Sequence, residues 1–344
     1  MKIGHWIIIL GVAAASIVSC EEKEEETDSY LSGKLVVNGL PTYVKYGETY
    51  HIESYGLYKG TDKADTLLGY RWYNPFTKVT DTLRYESDPV SVRPDFDFTI
   101  SKDTLATFTL SVTGWATDYY STTSSVSFTV VNPSLDGGSL TGHPFNKSMK
   151  TVVDARDGQR YYTARIGETE WMLQNLAWEG SGKAYNEERN MNYIYGRYYN
   201  WHEAMEACPA GWRLPSEDDF LALASAAGAT VGERYSDIAG VAGNLMGDVS
   251  FNGKAMWEYW PDVPKSNSTL FTAIPVGYLE YLENGFNFTG LGDYSIFWTS
   301  DSIDDATGVA RYIYVDKNIL FAAPFDKKNL AAPIRCVRAE WFLH

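Results

Sequence analysis

The sequence predicts two folded domains: an N-terminal all-β sandwich and a C-terminal domain of mixed helix and strand. The chain has 344 residues, about twice the usual length of one domain. Short alternating runs fill residues 30–132, and helical periodicity first appears after residue 145. The stretch between them, residues 133–144, is rich in Gly, Ser and Pro, which predicts an interdomain linker.

The N-terminal segment, residues 1–19, is typical of a bacterial lipoprotein signal peptide. Lys2 precedes an apolar run from Trp6 to Val18, which is shorter than the roughly 20 residues of a bilayer-spanning helix. The run ends in Ile-Val-Ser-Cys, which resembles a lipobox and predicts lipidation at Cys20. An ordinary signal peptide with a chance cysteine is the alternative.

An acidic tether, residues 20–29, follows. Apart from Cys20 it contains no apolar residue, so it is predicted to stay solvated. An acidic stretch after a lipidated cysteine resembles the export signal of outer-surface lipoproteins in some Gram-negative groups. We therefore expect a lipid-anchored outer-membrane protein that faces the cell exterior, with inner-leaflet retention as the alternative.

The overall charge limits the class of partner. A formal net charge of -15 argues against nucleic acid, because phosphate binding needs clustered Lys and Arg. The same charge disfavours direct docking on anionic lipid, so the predicted membrane contact is the lipid anchor.

Residues 30–132 are predicted to form an antiparallel sandwich with Trp72 where such cores often hold a tryptophan. The region resembles the immunoglobulin-like or PKD-like modules of bacterial surface proteins, which implies a spacer. Three Asp-Thr-Leu triplets, at Asp65, Asp81 and Asp103, resemble an O-glycosylation acceptor, although chance strand junctions explain them equally well. The predicted strands are KLVVNG, TYHIES, LLGYRWY, ATFTLSVTG and SSVSFTVV.

The C-terminal domain, residues 145–344, combines strands with two predicted helices. The first helix lies in NWHEAMEAC, and Ser216 is a good N-cap for the second. Three acidic residues follow Ser216, and their negative charge is stabilised by the positive N-terminal end of the helix dipole. Later strands are predicted in LFTAIPVGY, YSIFWTS, ARYIYV and PIRCVR.

Five blocks in order, between residues 150 and 339, resemble the Fibrobacter succinogenes major paralogous domain. The same region has a weaker resemblance to formylglycine-generating and C-type-lectin-like domains, which share an RLPTE-type helix start and a terminal FRC. The resemblance implies a C-type-lectin-like α+β fold, with a cysteine near a helix tied to the C-terminal strand. The blocks are DGQRYYTARIGETEWMLQNLAW, YGRYYNWHEAMEACPAGWRLPSEDDF, FTAIPVGY, FWTS and PIRCVR.

The cysteine count favours one disulfide. If lipid takes Cys20, then Cys208 and Cys336 remain, and two such cysteines in an exported protein are more often paired than free. The resemblance implies the same pair. Such a bridge would close a long loop and stabilise the fold by about 5 kcal/mol at most.

Enzyme motifs fail at defined positions. WHEAM has Glu206 where the zinc-protease pattern needs histidine, and EGSGKAY has Ala184 where a phosphate loop needs Ser or Thr. No G-x-S-x-G elbow is present. We therefore predict no enzymatic activity and no cofactor, with an unrecognised enzyme as one alternative.

The acidic loop of residues 301–308 is the best candidate for a metal site in the sequence. Asp301, Asp304 and Asp305 are candidate calcium ligands, but they lack EF-hand spacing. A solvated acidic loop is favoured, and no metal is predicted.

The leading functional hypothesis is a surface lipoprotein whose β module presents a lectin-like domain to a glycan or another surface polymer. The abundance of Trp and Tyr supports it, because their flat faces and polar handles suit such contacts. The alternative is a structural or fimbria-tip-like assembly component.

The candidate ligand surface is the stretch MWEYWPDVP, residues 256–264. Its aromatic residues are interrupted by Glu258 and stopped by proline, a pattern typical of an exposed loop. We expect one or more of three aromatic residues to contact ligand, with one of two carboxylates as a polar partner. These candidates are Trp257, Tyr259 and Trp260, and Glu258 and Asp262.

Overall fold

The described chain is mostly β-sheet with short helices. The predicted signal peptide, Cys20 and Asp65 lie outside the described part of the chain. Within that part, no helix is long and apolar enough to cross a membrane. The computed structural model describes residues 29–60, 69–78, 80–84, 95–116 and 118–339.

Ten strands within the described ranges form the N-terminal domain: β1 (Ser29–Tyr30), β2 (Ser32–Asn38), β3 (Tyr43–Lys45), β4 (Thr49–Tyr58), β5 (Gly69–Tyr73), β6 (Thr80–Arg84), β7 (Asp95–Thr99), β8 (Thr107–Trp115), β9 (Tyr119–Tyr120) and β10 (Thr122–Val131). One sheet has the order β3-β10-β8-β5-β6, a second has the order β2-β4-β7, and β1 pairs with β9. All five predicted runs contribute a strand.

One hydrophobic core joins the two larger sheets of this domain. Ile52 of β4 and Phe98 of β7 are buried in the same cluster as Phe128 of β10. The rings of Phe98 and Phe128 lie 5.7 Å apart. Trp72 packs against this core and stacks on Phe96 at 4.3 Å. Each fully buried side chain of this size stabilises the domain by about 1.5–3 kcal/mol.

Sixteen strands of the described chain belong to the C-terminal domain: β11 (Leu140–Thr141), β12 (Thr151–Val153), β13 (Arg160–Ile166), β14 (Thr169–Met172), β15 (Tyr199–Asn200), β16 (Trp212–Arg213), β17 (Ile238–Ala239), β18 (Ser250–Phe251), β19 (Lys254–Ala255), β20 (Tyr278–Leu282), β21 (Gly285–Thr289), β22 (Tyr294–Ser302), β23 (Thr307–Tyr314), β24 (Ile319–Asp326), β25 (Leu330–Ala332) and β26 (Val337–Arg338). They form four sheets, with the orders β11-β18-β19, β12-β13-β14-β26-β16, β15-β25-β20-β21 and β17-β24-β23-β22.

The helices of this domain are short, and both predicted helices are present. The Ser216 hydroxyl caps the second one by accepting from Asp219 N, and the Asp219 carboxylate accepts from Ser216 N at 2.7 Å. Phe220 and Leu223 bury its inner face. The α-helices are α1 (Asn192–Tyr195), α2 (Trp201–Ala207), α3 (Glu217–Ala226) and α4 (Ala242–Leu245), and 3₁₀ turns span Tyr185–Glu187 and Arg189–Met191.

The strand predicted at residues 270–278 is mostly wrong. Only Tyr278 belongs to a strand, and the rest is irregular with isolated bridges. The carbonyl groups of Phe271 and Thr272 accept hydrogen bonds from the guanidinium of Arg335, so a neighbouring strand does not use them. Burial of this guanidinium lowers the pKa of Arg335 to about 9.

The predicted disulfide is confirmed. Cys208, which directly follows α2, is bonded to Cys336, and their Cα atoms lie 5.9 Å apart. Cys336 immediately precedes β26, which pairs with both β14 and β16. Trp212 packs in the same buried cluster as Cys336, so the bridge fastens the helix to the C-terminal strand over a tryptophan.

The segment predicted as a linker, residues 133–144, is largely exposed or half-exposed but is anchored at a buried serine. Ser139 is fully buried, and its backbone N–H donates to the Asn132 carbonyl at 2.7 Å. The Ser139 hydroxyl accepts from Asn132 N at 2.8 Å. The next residues form β11, which pairs with β18 of the C-terminal domain. Hydrogen bonding therefore ties this segment to the C-terminal domain.

Candidate functional site

Trp257 lies in the core, so the prediction that it could form part of a ligand surface is wrong. Its side chain is 1% exposed, within the largest hydrophobic cluster of the domain. The indole Nε1 donates to the Ala273 carbonyl at 3.0 Å. Because this bond satisfies the single polar atom of a large apolar ring, burial stabilises Trp257.

The other four predicted ligand residues are exposed. Tyr259 is 76% exposed and Trp260 is 39% exposed, and Glu258 and Asp262 are exposed beside them. A hydrogen bond of 3.1 Å from Val263 N to the Trp260 carbonyl closes the turn. This exposed loop, residues 258–262, therefore presents two aromatic side chains and two carboxylates to solvent.

Most of the other aromatic residues between positions 230 and 310 are core residues or rest against the core. Trp298 is fully buried, and its Nε1 donates to the Tyr199 carbonyl at 3.0 Å. Tyr278 and Tyr294 are partly buried and contact each other edge to face. These side chains stabilise the domain and leave little aromatic surface for a ligand.

Direct hydrogen bonds join the two domains. The Glu188 carboxylate accepts from Thr42 N at 2.8 Å. The Asn190 amide donates to the Tyr43 carbonyl at 3.2 Å and to the Glu48 carboxylate at 3.1 Å. Burial raises the pKa of Glu188, and the backbone bond from Thr42 opposes that shift.

A cleft of about 480 Å³ lies between the domains. Its volume falls within the range of about 300–1,000 Å³ that is usual for small-molecule sites. Three aromatic rings line it, from Tyr43, Tyr195 and Phe251, and Tyr43 packs edge to face on Phe251. The full lining comprises Tyr43, Leu105, Ala106, Thr107, Thr129, Tyr195, Phe251, Asn252, Lys254, Ala255, Met256, Pro275, Leu291 and Gly292.

Asn252 supplies a polar group to this cleft. Its amide nitrogen donates to the Val130 carbonyl at 3.0 Å, which is a further contact between the domains. Its Oδ1 is buried and has no hydrogen-bond partner among the described residues. A buried acceptor left unsatisfied costs about 1–3 kcal/mol.

One residue that lines the cleft lies close in sequence to the exposed loop. Met256 lines the cleft, Trp257 anchors the backbone in the core, and the exposed residues follow directly. Burial raises the pKa of Tyr43 to about 12 and also raises that of Tyr195, so the tyrosines of the cleft stay protonated at alkaline pH as well.

The acidic loop of residues 301–308 already has a cationic partner. The ammonium of Lys327 is almost fully buried and donates to the Ser302 hydroxyl at 2.7 Å and to the Asp304 carbonyl at 2.6 Å. The Asp304 carboxylate accepts from Ala306 N and Thr307 N. Those bonds hold the pKa of Asp304 below its ordinary value.

A second carboxylate of that loop, that of Asp301, is also engaged. Asp301 accepts from Glu217 N at 2.7 Å and pairs with Arg234. The carboxylates of Asp301 and Asp304 therefore bind protein groups, and a lysine ammonium bonds to the carbonyls of Asp304 and Asp305.

A second group of metal-ligand side chains lies on β4 and β7. Ligand atoms of His51, Glu53 and Asp95 lie within 4.8 Å of one another. The His51 ring also lies 3.0 Å from Asp97, and that hydrogen bond, with the nearby carboxylates, raises the pKa of His51. These groups are exposed or half-exposed and bond to each other, which an ordinary solvated cluster also does.

The comparison with known families decides the identity of the C-terminal domain. The family model of the Fibrobacter succinogenes major domain matches residues 164–338, just over half of the chain. The chain belongs to this family. No curated protein matches the chain. The match begins in β13 and ends at the last residue of β26, so it includes α2, α3 and the disulfide.

The Fibrobacter succinogenes major domain supplies only one wall of the cleft. Residues from Tyr195 to Gly292 lie within the family match, and Tyr43, Leu105 to Thr107 and Thr129 lie in the N-terminal domain. Sequence reasoning did not identify these residues, because no local pattern indicates that two domains meet there. Of the lining residues, only Met256 belongs to the stretch that the sequence predicts as a ligand surface.

Proposed function

We propose that this protein is a non-enzymatic cell-surface lipoprotein that binds a glycan or another surface polymer and so serves adhesion. The observation that carries the proposal is the interdomain cleft, with its ligand-sized volume and its mixture of aromatic and polar lining. Sugars present apolar ring faces together with hydroxyl groups, and such a mixture binds both.

Binding is favoured over catalysis by the chemistry of the lining. None of the described lining residues is Asp, Glu, His or Cys, which supply most general acids, bases and nucleophiles. Lys254 is the one lining residue with an ordinarily charged side chain. The cleft therefore offers stacking and hydrogen bonds, and its described lining supplies no carboxylate, imidazole or thiol.

The proposal includes an immunoglobulin-like N-terminal sandwich and a C-type-lectin-like C-terminal fold. Two opposed sheets around one core support the first assignment. The capped helix α3 and the disulfide from the end of α2 to the C-terminal strand support the second. In this arrangement the sandwich forms a wall of the binding cleft in addition to acting as a spacer.

The proposed location is the outer membrane, with a lipid on Cys20 and the folded domains facing the exterior. The lipobox-like Ile-Val-Ser-Cys and the acidic tether support it. Mass spectrometry of protein extracted from membranes should show an acylated peptide that begins at Cys20. A soluble product cleaved at another residue would contradict the anchor.

Blocking the cleft tests the proposed function. Ala255 lines the cleft, so Ala255→Trp should fill it and abolish capture on a glycan array. The matched control is Ala239→Trp, because Ala239 is also an exposed alanine in a two-residue strand but lies outside the lining. Both variants should keep the melting temperature of the unmodified protein.

Two results would count against the function. Equal capture by the Ala255→Trp variant would place the site elsewhere. Failure of the unmodified protein to bind any glycan or surface polymer would instead favour a structural or fimbria-tip-like assembly component.

A further inference from the structure

Paired hydroxyl groups cover the outer face of β8 and β10. Over residues 107–113 and 123–129 the outward side chains of these two strands are Ser or Thr, and directly opposite residues hydrogen-bond to each other through their hydroxyls. We call this row the hydroxyl ladder. Its four pairs are Thr107 with Thr129 at 2.9 Å, Thr109 with Ser127 at 3.2 Å, Ser111 with Ser125 at 2.9 Å, and Thr113 with Thr123 at 2.7 Å.

The hydroxyl ladder carries no charge at any of its eight positions, although 21% of the chain is charged. Each side chain is exposed or half-exposed, and the intervening residues Leu110 and Phe128 are buried in the core. A hydroxyl has one donor and two acceptor sites, so each pair keeps one donor and several acceptor sites for an external partner. The row itself is therefore uncharged and rich in hydrogen-bonding capacity. Beside it on the same face, Tyr73 and Arg71 of β5 lie opposite Ser111 and Thr113, and the Arg71 guanidinium lies 4.9 Å from the centroid of the Trp115 ring.

The hydroxyl ladder is continuous with the interdomain cleft. Its first pair, Thr107 and Thr129, lines the cleft, and the other pairs follow along the same two strands. At roughly 3.4 Å per residue, the ladder extends about 20 Å from the cleft to Thr113. A ligand that entered the cleft and continued outward would lie along this face.

We propose that the hydroxyl ladder extends the cleft into a track for a neutral polysaccharide. The cleft would bind one part of the polysaccharide chain, and the ladder would bind the sugar residues that follow it. This proposal rests on the glycan binding proposed for the cleft. The row offers hydrogen-bonding groups at regular intervals, as a polysaccharide does along its chain, and none of its eight positions supplies a cation for the carboxylates of an acidic polymer. Cross-strand Thr pairs also stabilise sheets, so the test must separate binding from stability.

A triple variant, Thr109→Val, Thr113→Val and Thr123→Val, removes hydroxyls beyond the cleft and keeps β-branched side chains in the strands. The matched control is Thr49→Val with Thr99→Val, because this pair forms the same cross-strand hydroxyl bond, at 2.8 Å, between β4 and β7. Calorimetry would measure the Kd for cello-, malto- and manno-oligosaccharides from disaccharide to octasaccharide, with oligogalacturonates as the acidic comparison.

For a neutral series that binds, affinity of the unmodified protein and of the control should rise by about tenfold or more with chain length, since several hydrogen bonds are added. In the triple variant, disaccharide affinity should stay the same and the rise with length should disappear. A full rise in the triple variant, or equal binding of oligogalacturonates, would overturn the track and leave the proposed cleft function intact. Absence of binding to every neutral series would overturn the track, and the glycan array described above tests the cleft function separately.

Discussion

At the residue scale, two tryptophans three positions apart have opposite environments. Trp257 donates its indole N–H to a core carbonyl and is 1% exposed, whereas Trp260 is 39% exposed next to a solvent-facing tyrosine. The position of a compatible acceptor, the Ala273 carbonyl, distinguishes them. Identical side chains in one short segment therefore serve stability and surface display separately.

Alanine substitutions should separate these two roles. Trp257→Ala should lower the free energy of unfolding by about 3–5 kcal/mol, because it leaves a large cavity in the core. Tyr259→Ala and Trp260→Ala should each change it by only about 0.5 kcal/mol, as is usual for surface sites. Urea denaturation followed by fluorescence measures all three. Similar losses for Trp257 and Trp260 would contradict this distinction.

At the element scale, the turn between β22 and β23 depends on a lysine from outside the turn. Lys327 follows β24, and its ammonium bonds to carbonyl and hydroxyl oxygens of residues 302–305. The same ammonium lies 4.3 Å from the centroid of the Trp201 ring, at the start of α2. One buried cation thus connects a turn, a strand end and a helix.

Lys327→Met should destabilise the protein by about 1–3 kcal/mol, because it keeps the apolar stem but leaves the turn oxygens without their donor. Lys328→Met is the control, since Lys328 is exposed and adjacent, and it should change stability by about 0.5 kcal/mol or less. Thermal melts with and without calcium complete the experiment. A large calcium-dependent rise in the melting temperature of the unmodified protein would contradict the assignment of the Lys327 ammonium as the cation of this turn.

At the scale of the whole molecule, tyrosines concentrate where the two domains meet. Tyr43 of the N-terminal domain contacts Tyr185 and Phe251 of the C-terminal domain, and Tyr198 is fully buried nearby in the same cluster. Burial raises the pKa of Tyr43 to about 12 and that of Tyr198 well above its usual value. The folded protein therefore keeps these hydroxyls protonated at pH values where an unfolded chain would ionise them.

Stability should consequently fall as the pH rises above about 10, the pKa of tyrosine in an unfolded chain. Below that pH both states hold the proton, so the contribution to stability is fully present. Above it the unfolded state binds fewer protons than the folded state, and the equilibrium moves toward unfolding. Urea midpoints between pH 8 and pH 12 test this, with tyrosinate absorbance as the second readout. Full ionisation near pH 10 in the folded protein would contradict the burial.

Local patterns were sufficient for much of the fold. Alternating runs identified five N-terminal strands, and Ser216 followed by acidic residues identified the start of α3, because these signals depend on neighbours in the sequence. The pairing of Cys208 with Cys336 followed from cysteine count and family resemblance. The predicted strand at residues 270–278 was mostly wrong because a distant arginine, Arg335, binds its carbonyl groups.

Side-chain type and local spacing are sufficient to predict the strand-rich regions, the capped helix and the exposed part of the 258–262 loop, and cysteine count with family resemblance predicts the disulfide. Only the tertiary structure decided that Trp257 is buried, that Lys327 fills the acidic turn and that a cleft separates the domains. Those features join residues far apart in the chain. Their geometry depends on long-range packing. This packing places Tyr43 beside Phe251, and the residues that flank either one in the sequence do not predict the contact.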